Sequence, residues 1–397
     1  MAVNPIAPGI YPVGVIDWNA RHFHGHTYST KRGTTYNAYL IVDKKITLID
    51  TVYGPFSDEL LANIRAIVPP EKIDTIIVNH VETDHSGALP ELMKHCPRAK
   101  LHGTAKCQQG LEKYYHEKWD FQVVKTGDKL NLGARNLTFI EATMIHWPDS
   151  MFTYLVEEQI LFSNDAFGQH YATSERFDDE VPNEVLMEEA AKYYANILWP
   201  FSSLIARKLD EIRSLNLPLK MIATAHGISW RKDPGQILEA YGRWAANECQ
   251  PKVVVTYETM WGSTEKMARK IVEGITAEGV SVKLFDAAVS DRTEIIYEMF
   301  TSKGYLIGSS NHDSGILPSM TSFLDFVKGL KPQNRFGGVF GSYGWSGLAV
   351  KQMELILKEC GIEQKQPSLA IQYAPDAEGL QRCFEFGREF ARIVKAA

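Results

Sequence analysis

The sequence has few cysteines, no long apolar run and no excess of basic residues. Its five cysteines are odd in number and never spaced Cys-x-x-Cys, which argues against a disulfide framework or a thiolate metal site. We therefore expect a reducing, cytoplasmic location. The formal net charge of −6 provides no basic stripe for nucleic acid. No apolar run reaches the roughly 18 residues that span a bilayer, and the first residues lack a signal-peptide pattern, so neither a nucleic-acid nor a membrane partner is expected.

The length of 397 residues predicts two domains, because a single hydrophobic core stops growing at a smaller size. The helical pattern stops at Pro251, and an apolar strand begins directly after it. We place the boundary there, which gives a first domain over residues 1–250 and a second over residues 251–397.

The two predicted domains differ in how strands and helices succeed one another. The first begins with short strands and hairpins and later has helices, which fits two sheets flanked by helices, an αββα sandwich. Residues 182–215 have helical periodicity with a break at Pro200, and a candidate buried stripe includes Tyr193 and Tyr194. In the second, strands and helices alternate regularly from residue 252 to residue 360, which predicts a doubly wound parallel sheet covered on both faces.

The stretch His-Val-Glu-Thr-Asp-His contains four side chains that bind metals: His80, Glu82, Asp84 and His85. It directly follows residues 73–79, whose Ile, Val and Thr predict a buried strand. The stretch resembles the His-x-His-x-Asp-His pattern of zinc hydrolases, except that Glu82 replaces the second histidine. An additional anionic oxygen ligand favours iron or manganese over zinc.

Three more candidate ligands, His146, Asp165 and His226, follow later in the chain. Asp165 and His226 each end an apolar run, and ligands at the carboxyl ends of strands meet at one edge of a sheet. One such histidine alone would ordinarily be a surface or core residue, but seven ligand-type residues in this arrangement favour a metal site. If Asp165 bridges the two halves of the set, two ions about 3.5–4 Å apart can be held.

The second domain has a candidate phosphate loop between its first strand and first helix. Residues 259–264 read Thr-Met-Trp-Gly-Ser-Thr, so hydroxyls and a glycine precede a helix N-terminus, whose free N–H groups and positive dipole end bind phosphate. No Walker lysine follows Gly262, which disfavours ATP.

Two other loops at predicted strand ends provide polar groups and aromatic faces for a flat ring. Either loop alone would be an ordinary turn, and Ser-Thr an ordinary helix cap, but three such loops in one doubly wound domain favour a flavin. The candidate flavin-binding residues are Thr259, Met260, Trp261, Gly262, Ser263, Thr264, Ser309, Ser310, Asn311, His312, Asp313, Ser342, Tyr343, Gly344, Trp345, Ser346 and Gly347.

Taken together, these motifs resemble those of flavodiiron proteins, in which a metallo-β-lactamase-like domain with a diiron site precedes a flavodoxin-like domain that binds FMN. The resemblance covers nearly all of the chain. Its most specific marks are the cluster at residues 80–85, the stretches 146–150 and 164–165, and the stretch 225–227.

The resemblance implies a ligand assignment and an activity. One iron would be held by His80, Glu82 and His146, the other by Asp84, His85 and His226, and Asp165 would lie between them. The second flavin loop, residues 310–313, departs from the family's Pro-Thr-x-Asn pattern. Proteins of this family reduce dioxygen to water or nitric oxide to nitrous oxide, with electrons passing through FMN.

Further expectations concern protons, donors and assembly. His24 and Tyr194 are the candidate catalytic residues beyond the ligands. The chain has no Cys-x-x-Cys pairs of a rubredoxin module, so an external donor is expected, rubredoxin or, as an alternative, a reduced deazaflavin. Two cofactors in separate domains would lie far apart within one chain, which favours a head-to-tail homodimer, or a dimer of dimers, with Trp345 or Trp147 lining the gap.

Two functions of other classes stay open. A zinc hydrolase of the lactamase or glyoxalase type would use the second domain as a binding module, although Glu82 argues against it. An electron-transfer flavoprotein would have only a structural metal in its first domain.

Overall fold

The computed structural model describes residues 4–397 and divides into two compact units. The first unit runs up to Tyr193 and includes Phe201–Arg243, and the second consists of Tyr194–Pro200 and Trp244–Ala397. The boundary between residues 250 and 251 stays a prediction.

The first unit is a sandwich of two mixed sheets. In spatial order, the strands of the six-stranded sheet are Ile10–Pro12, Tyr39–Ile41, Ile46–Ile49, Ile73–Ile77, Lys100–Gly103 and Phe121–Val123. Those of the five-stranded sheet are Lys129–Asn131, Asn136–Glu141, Met151–Leu155, Ile160–Asn164 and Met221–Thr224. Two short pairs, Val15–Asp17 with Thr34–Tyr36 and His22–Phe23 with Tyr28–Ser29, complete the strands.

The core of the sandwich lies between the two sheets. Ile49 and Ile77 of one sheet meet Phe139, Leu155 and Phe162 of the other in a single buried cluster. Alternate residues of these strands point to the outer faces, where helices cover them. The helices of this unit are Ser57–Arg65, Thr83–Ser86, Leu89–His95, Ala105–Tyr115, Asn183–Tyr193, Ser202–Ser214 and Pro234–Ala245.

The second unit is a doubly wound parallel sheet. Its strands run in the order Ser281–Asp286, Gln250–Glu258, Ser302–His312, Phe336–Tyr343, with Glu363–Gln364 and Leu369–Gln372 both beside the last of these. The short strand Gly315–Ile316 pairs antiparallel with Ser302–His312. The helices are Ser263–Ala277, Arg292–Thr301, Pro318–Leu330, Leu348–Glu359 and Ala377–Lys395. This strand order places a topological switch point at the carboxyl ends of the first and third strands in sequence, where ligands of open α/β sheets bind.

The predicted fold class, a sandwich followed by a doubly wound sheet, is confirmed. The strand predicted over residues 73–79 is observed as Ile73–Ile77. The predicted break in the helical region 182–215 extends over Tyr194–Leu198 and Trp199–Phe201. Tyr193 and Tyr194 of the predicted stripe are both buried.

Across residues 4–397, no helix combines the length and the apolar character that crossing a membrane requires.

A buried polar chain joins the two sheets beside the end of strand Ile73–Ile77. The carboxylate of Asp50 accepts hydrogen bonds from the backbone N–H of Asn79 at 2.7 Å and from its side-chain Nδ2 at 2.9 Å. The hydroxyl of Thr153, on the other sheet, donates to Oδ1 of Asn79 at 2.7 Å. The backbone N–H of Met151 donates to the carbonyl oxygen of Asn79. Hydrogen bonds therefore hold both the backbone and the side chain of Asn79, the residue that precedes His80.

We expect Thr153→Val to lower the free energy of unfolding by about 1–3 kcal/mol, because it leaves the buried Oδ1 of Asn79 without a donor. The matched substitution Thr138→Val, at a half-buried position of the neighbouring strand, should change it by less than about 0.5 kcal/mol. Urea unfolding followed by circular dichroism measures both. Equal losses for the two variants would contradict the proposed link between the sheets.

Candidate metal centre and flavin site

The seven predicted ligands come together at one edge of the sandwich. His80 follows strand Ile73–Ile77, and Asp84 and His85 lie on the short helix Thr83–Ser86. Asp165 directly follows strand Ile160–Asn164, and His226 comes two residues after strand Met221–Thr224. Six of the seven are buried, and the side chain of Glu82 is 15% exposed.

The ligand atoms form two groups of three. His80, Glu82 and His146 each offer one atom within 4.8 Å of the other two, and Asp84, His85 and His226 form the second such group. These are the two sets that the resemblance implied.

Asp165 lies between the two groups and directs one oxygen towards each. Its Oδ2 is 3.4 Å from Nε2 of His146 and 3.7 Å from Nε2 of His80. Its Oδ1 is 3.0 Å from Nε2 of His85 and 3.3 Å from Nε2 of His226. A carboxylate in this position can bind one metal ion with each oxygen.

Several of these atoms are buried without a hydrogen bond. They are Oδ1 of Asp84, both ring nitrogens of His85, Oδ2 of Asp165 and Nε2 of His226. Buried polar atoms without partners cost free energy, so a cluster of them facing one another is unfavourable unless a cation binds there. The donor set of four imidazoles and three carboxylates, with no thiolate, suits non-haem iron. The residues therefore fit a diiron site.

Charge pairing dominates the electrostatics of the cluster. Burial lowers the pKa of His80, but hydrogen bonds to Asp149 and Glu82 outweigh burial, so this pKa lies well above its usual value. Burial also lowers the pKa of His226, but the nearby carboxylates of Asp165 and Asp84 outweigh burial and raise this pKa to about 10. Burial raises the pKa of Asp165, but the surrounding histidines, His85 first among them, bring it well below its usual range. Asp165 is thus held as an anion.

Hydrogen bonds outside the cluster orient two of the ligand histidines. Nδ1 of His80 lies 3.1 Å from Oδ2 of Asp149, and the same carboxylate accepts a hydrogen bond from the backbone N–H of Val81 at 2.7 Å. Nδ1 of His226 is 2.6 Å from the carbonyl oxygen of Thr35, which can only accept. Both contacts make Nδ1 the donor and leave Nε2 free to bind a metal. Asp149 lies within the stretch 146–150, one of the marks of the family resemblance. The sequence alone did not predict its contact with His80.

Gly227 allows His226 to take its place. It has φ +73°, and a Cβ atom there would lie 1.8 Å from Oε1 of Gln169 and 2.4 Å from its carbonyl oxygen. The backbone therefore turns sharply just after the ligand, and only glycine fits.

The two predicted catalytic residues lie in different surroundings. Nε2 of His24 is 3.0 Å from Oε1 of Glu82. The ring of Tyr194 packs beside Trp244 and Phe300 in the second unit. The hydroxyl of Tyr193, its neighbour in the chain, donates to Oδ1 of Asp165 at 3.0 Å. The sequence analysis had assigned Tyr193 only to the buried stripe.

In the second unit, the candidate flavin-binding residues lie at the carboxyl ends of three adjacent strands, Gln250–Glu258, Ser302–His312 and Phe336–Tyr343. The loop prediction was wrong for residues 309–312 and 342–343, which belong to the last two of these strands. The hydroxyl of Thr264, at the start of helix Ser263–Ala277, lies 2.9 Å from the hydroxyls of both Ser310 and Ser342. This hydroxyl cluster joins the helix N-terminus to the carboxyl ends of two strands.

Among the other candidate flavin-binding residues, Ser309 is buried and the rest are partly buried or exposed. Trp261 is 91% exposed and Trp345 is 86% exposed, so their rings are available to stack on a flat ligand. Gly262 precedes the helix with φ +82°, and its N–H donates to the hydroxyl of Thr259. Asn311 instead caps the start of another helix, since its Oδ1 accepts from the N–H of Ala349 at 2.9 Å. His312 and Asp313 have exposed side chains.

Comparison with known proteins accounts for both units. Residues 34–227 match the ODP family beta lactamase, and residues 255–387 match the flavodoxin family. The chain is 53% identical over 391 residues to a nitric oxide reductase of Moorella thermoacetica, and the match covers 98% of each chain.

Solved structures agree in fold over nearly the whole chain. Rubredoxin oxygen:oxidoreductase from Desulfovibrio gigas has a TM-score of 0.97 at 38% identity and covers 99% of both chains. The flavodiiron protein of Giardia intestinalis has a TM-score of 0.96 at 35% identity, covering 100% of this chain and 97% of that one. The resemblance stated from the motifs is confirmed, and the chain belongs to the flavodiiron protein family.

Proposed function

We propose that this chain is a nitric oxide reductase with a diiron site in its first unit and FMN in its second. The observation that carries the proposal is the placement of Asp165, whose two oxygens face two separate groups of ligands. Two-metal hydrolases can share such a bridging carboxylate, but Glu82 supplies an anionic oxygen where the zinc-hydrolase pattern has a second histidine, which favours iron. The name of the Moorella relative supports the choice of gas.

Two iron ions and FMN, when bound, would supply the electrons. The overall reaction consumes two molecules of nitric oxide, two electrons and two protons, and releases one nitrous oxide and one water. The residues of this chain bind the metals, exclude other ligands and bring the protons.

Protons have a short route through His24. This histidine is 30% exposed at its side chain and contacts Glu82 at 3.0 Å, so it joins solvent to a carboxylate of the first ligand group. Tyr193, which is buried, holds Oδ1 of Asp165 with its hydroxyl and orients the bridging carboxylate. We assign His24 to proton delivery and Tyr193 to positioning.

FMN would bind at the switch point of the second unit. Its phosphate would lie at the N-terminus of helix Ser263–Ala277, above the hydroxyl cluster of Thr264, Ser310 and Ser342. Trp261 and Trp345 would contact the ring system. The capping role of Asn311 argues for contacts from the backbone of that loop rather than from its side chain.

Dioxygen reduction is a second activity, which the likeness to rubredoxin oxygen:oxidoreductase supports. That protein's name also supports rubredoxin as the donor. A head-to-tail homodimer is consistent with the exposure of Trp261 and Trp345, because a partner copy would cover them. Free cysteines, four of the five buried, are consistent with a reducing cytoplasm.

The proposed activity is tested with the anaerobically purified protein. Metal and flavin content are determined first, and about two irons and one FMN per chain are expected. Nitric oxide consumption and nitrous oxide release are then followed with reduced rubredoxin as donor. Zinc without flavin, or gas consumption no faster than with rubredoxin alone, would refute the proposal.

Replacing Glu82 with alanine should lower the iron content from about two to about one per chain and reduce nitric oxide consumption at least tenfold or so, because one ion loses an anionic ligand. Glu91→Ala serves as the control, since this glutamate is exposed and pairs with Lys94 and His95, neither of which belongs to the ligand set. Elemental analysis and a nitric oxide electrode measure both effects. Unchanged iron and activity in the Glu82 variant would rule out the assigned ligand set.

Asp149→Asn should weaken iron binding about 10- to 100-fold without removing a ligand, because His80 loses the anionic partner that orients it. The rate of iron release to a ferrous chelator reports this change. Asp120→Asn, at a carboxylate that is 72% exposed, is the matched control and should release iron at the wild-type rate.

Thr264→Val should raise the dissociation constant of FMN about five- to tenfold, because the three-hydroxyl cluster loses its shared member. Thr276→Val, at an exposed position of the same helix, should leave it unchanged. Titration of the flavin-free protein by quenching of flavin fluorescence compares them. The same constant in both variants would mean that the cluster does not support the phosphate loop.

A further inference from the structure

The ligands Asp84 and His85 lie on a single helical turn, Thr83–Ser86, which has only four residues. A helix this short is not stable without contacts to the rest of the protein. The other two ring directions described above are fixed by hydrogen bonds to Nδ1, from Asp149 for His80 and from Thr35 for His226. Within residues 4–397, Nδ1 of His85 has no hydrogen-bond partner. The direction of its ring therefore depends on the backbone of the turn.

Ser86 closes this turn through its hydroxyl group. The hydroxyl oxygen lies 2.6 Å from the carbonyl oxygen of Val81 and 3.1 Å from that of Glu82. It also lies 2.7 Å from the hydroxyl oxygen of Tyr115. A serine hydroxyl has one proton, and a carbonyl oxygen can only accept, so Ser86 donates to the backbone and accepts from Tyr115. A chain of hydrogen bonds thus runs from Tyr115 to the backbone of the ligand segment.

Thr51 holds the same turn by a separate contact. Its backbone N–H donates to the carbonyl oxygen of His85 at 2.9 Å, and its hydroxyl donates to the same oxygen at 2.6 Å. The backbone of the turn is therefore held at two points, at His85 by Thr51 and at Ser86 by Tyr115.

Tyr115 is the last residue of helix Ala105–Tyr115, and the residue before this helix also acts on a ligand. The hydroxyl of Thr104 accepts from the N–H of Cys107 at 3.1 Å and donates to the carbonyl oxygen of Asp149 at 3.0 Å. Asp149 is the residue whose carboxylate orients His80. The two ends of the helix thus contact the surroundings of different ligand groups.

The middle of the helix packs directly against the ligand segment. A Cβ atom at Gly110 would lie 2.9 Å from both methyl carbons of Val81. Val81 is buried and its branched side chain is short, so the methyl groups have little room to move. The absence of a side chain at Gly110 therefore lets the helix lie close enough for Tyr115 to reach Ser86.

We propose that Tyr115 is a positioning residue for the second ligand group and that it acts on Asp84 and His85 through Ser86. The proposal rests on the proposed ligand set and adds a residue outside it. Without the phenolic hydroxyl, Ser86 loses its donor and the turn is held less firmly. Ligands that are poorly oriented bind a metal ion less tightly.

Iron release from the anaerobically purified holoenzyme to a ferrous chelator tests this role. Tyr115→Phe should raise the rate of release about three- to tenfold, the factor that corresponds to the net contribution of one hydrogen bond. Tyr154→Phe is the matched control, because it loses a phenolic hydroxyl that donates to the carbonyl oxygen of Pro218 at 2.6 Å. Urea unfolding of both apoproteins should show similar losses of stability, whereas only Tyr115→Phe should release iron faster.

Two further variants test the route through Ser86 and the ligand group concerned. Ser86→Ala should accelerate release at least as much as Tyr115→Phe, and adding Tyr115→Phe to it should have no further effect. In the Glu82→Ala background, the second group is expected to hold the remaining iron, and Tyr115→Phe should accelerate its release by the same factor as in the otherwise unchanged protein. If Tyr115→Phe does not fold, Ser86→Ala tests the same chain of hydrogen bonds.

The results distinguish this proposal from the ligand set on which it rests. A wild-type rate of release in Tyr115→Phe, equal acceleration in Tyr154→Phe, or additive effects of the Tyr115 and Ser86 changes would overturn the positioning role while the wild type still holds two irons per chain. Wild-type protein that binds no iron would instead refute the ligand set itself.

Discussion

The burial of three carboxylates and four imidazoles in one cluster is the constraint on which the first unit depends. Each ionised group loses its hydration when it enters the sandwich, and the cost is offset only by close partners of opposite charge. Asp165 meets this requirement twice, with one oxygen for each ligand group. The next layer follows from the same need, since Asp149 faces His80, the carbonyl of Thr35 faces His226, and Tyr193 faces Asp165 itself.

The arrangement of the two sheets brings these groups together. Strands Ile73–Ile77 and Ile160–Asn164 belong to different sheets, yet both end at the cluster. Asn79 joins the two sheets through Asp50 and Thr153 at the last position before His80. Packing between the sheets and hydrogen bonding across them therefore determine ligand geometry together. In the second unit, hydroxyls from a helix N-terminus and from the ends of two strands lie within hydrogen-bonding distance of one another.

Strand periodicity predicted which segments end in His80, Asp165 and His226, because a buried strand and the polar residue after it are both visible in a short window of sequence. Contacts between distant segments were not predictable in this way: Asp149 reaches His80 across 69 residues, and nothing local links them. The contact between Tyr193 and Asp165 was not predictable for another reason. The α-helix ends at Tyr193 and continues as a π-helical turn from Tyr194, so the direction of each side chain does not follow the period of an α-helix. Asn311 was predicted to lie in a loop but belongs to strand Ser302–His312, and its contact with the N–H of Ala349 depends on a helix 38 residues away.

The order of the ligands along the chain has a consequence for biosynthesis. The group of His80, Glu82 and His146 is complete when the ribosome has added residue 146, and the bridging Asp165 follows shortly after. The second group is incomplete until His226 is added. This histidine follows strand Met221–Thr224, which pairs parallel with Ile160–Asn164. At about 5–20 residues per second, the nascent chain passes roughly 4–16 s with one ligand group made and the other unfinished. During that interval the ligands of only one ion have been synthesised, so the two-metal geometry cannot form before His226 has been added.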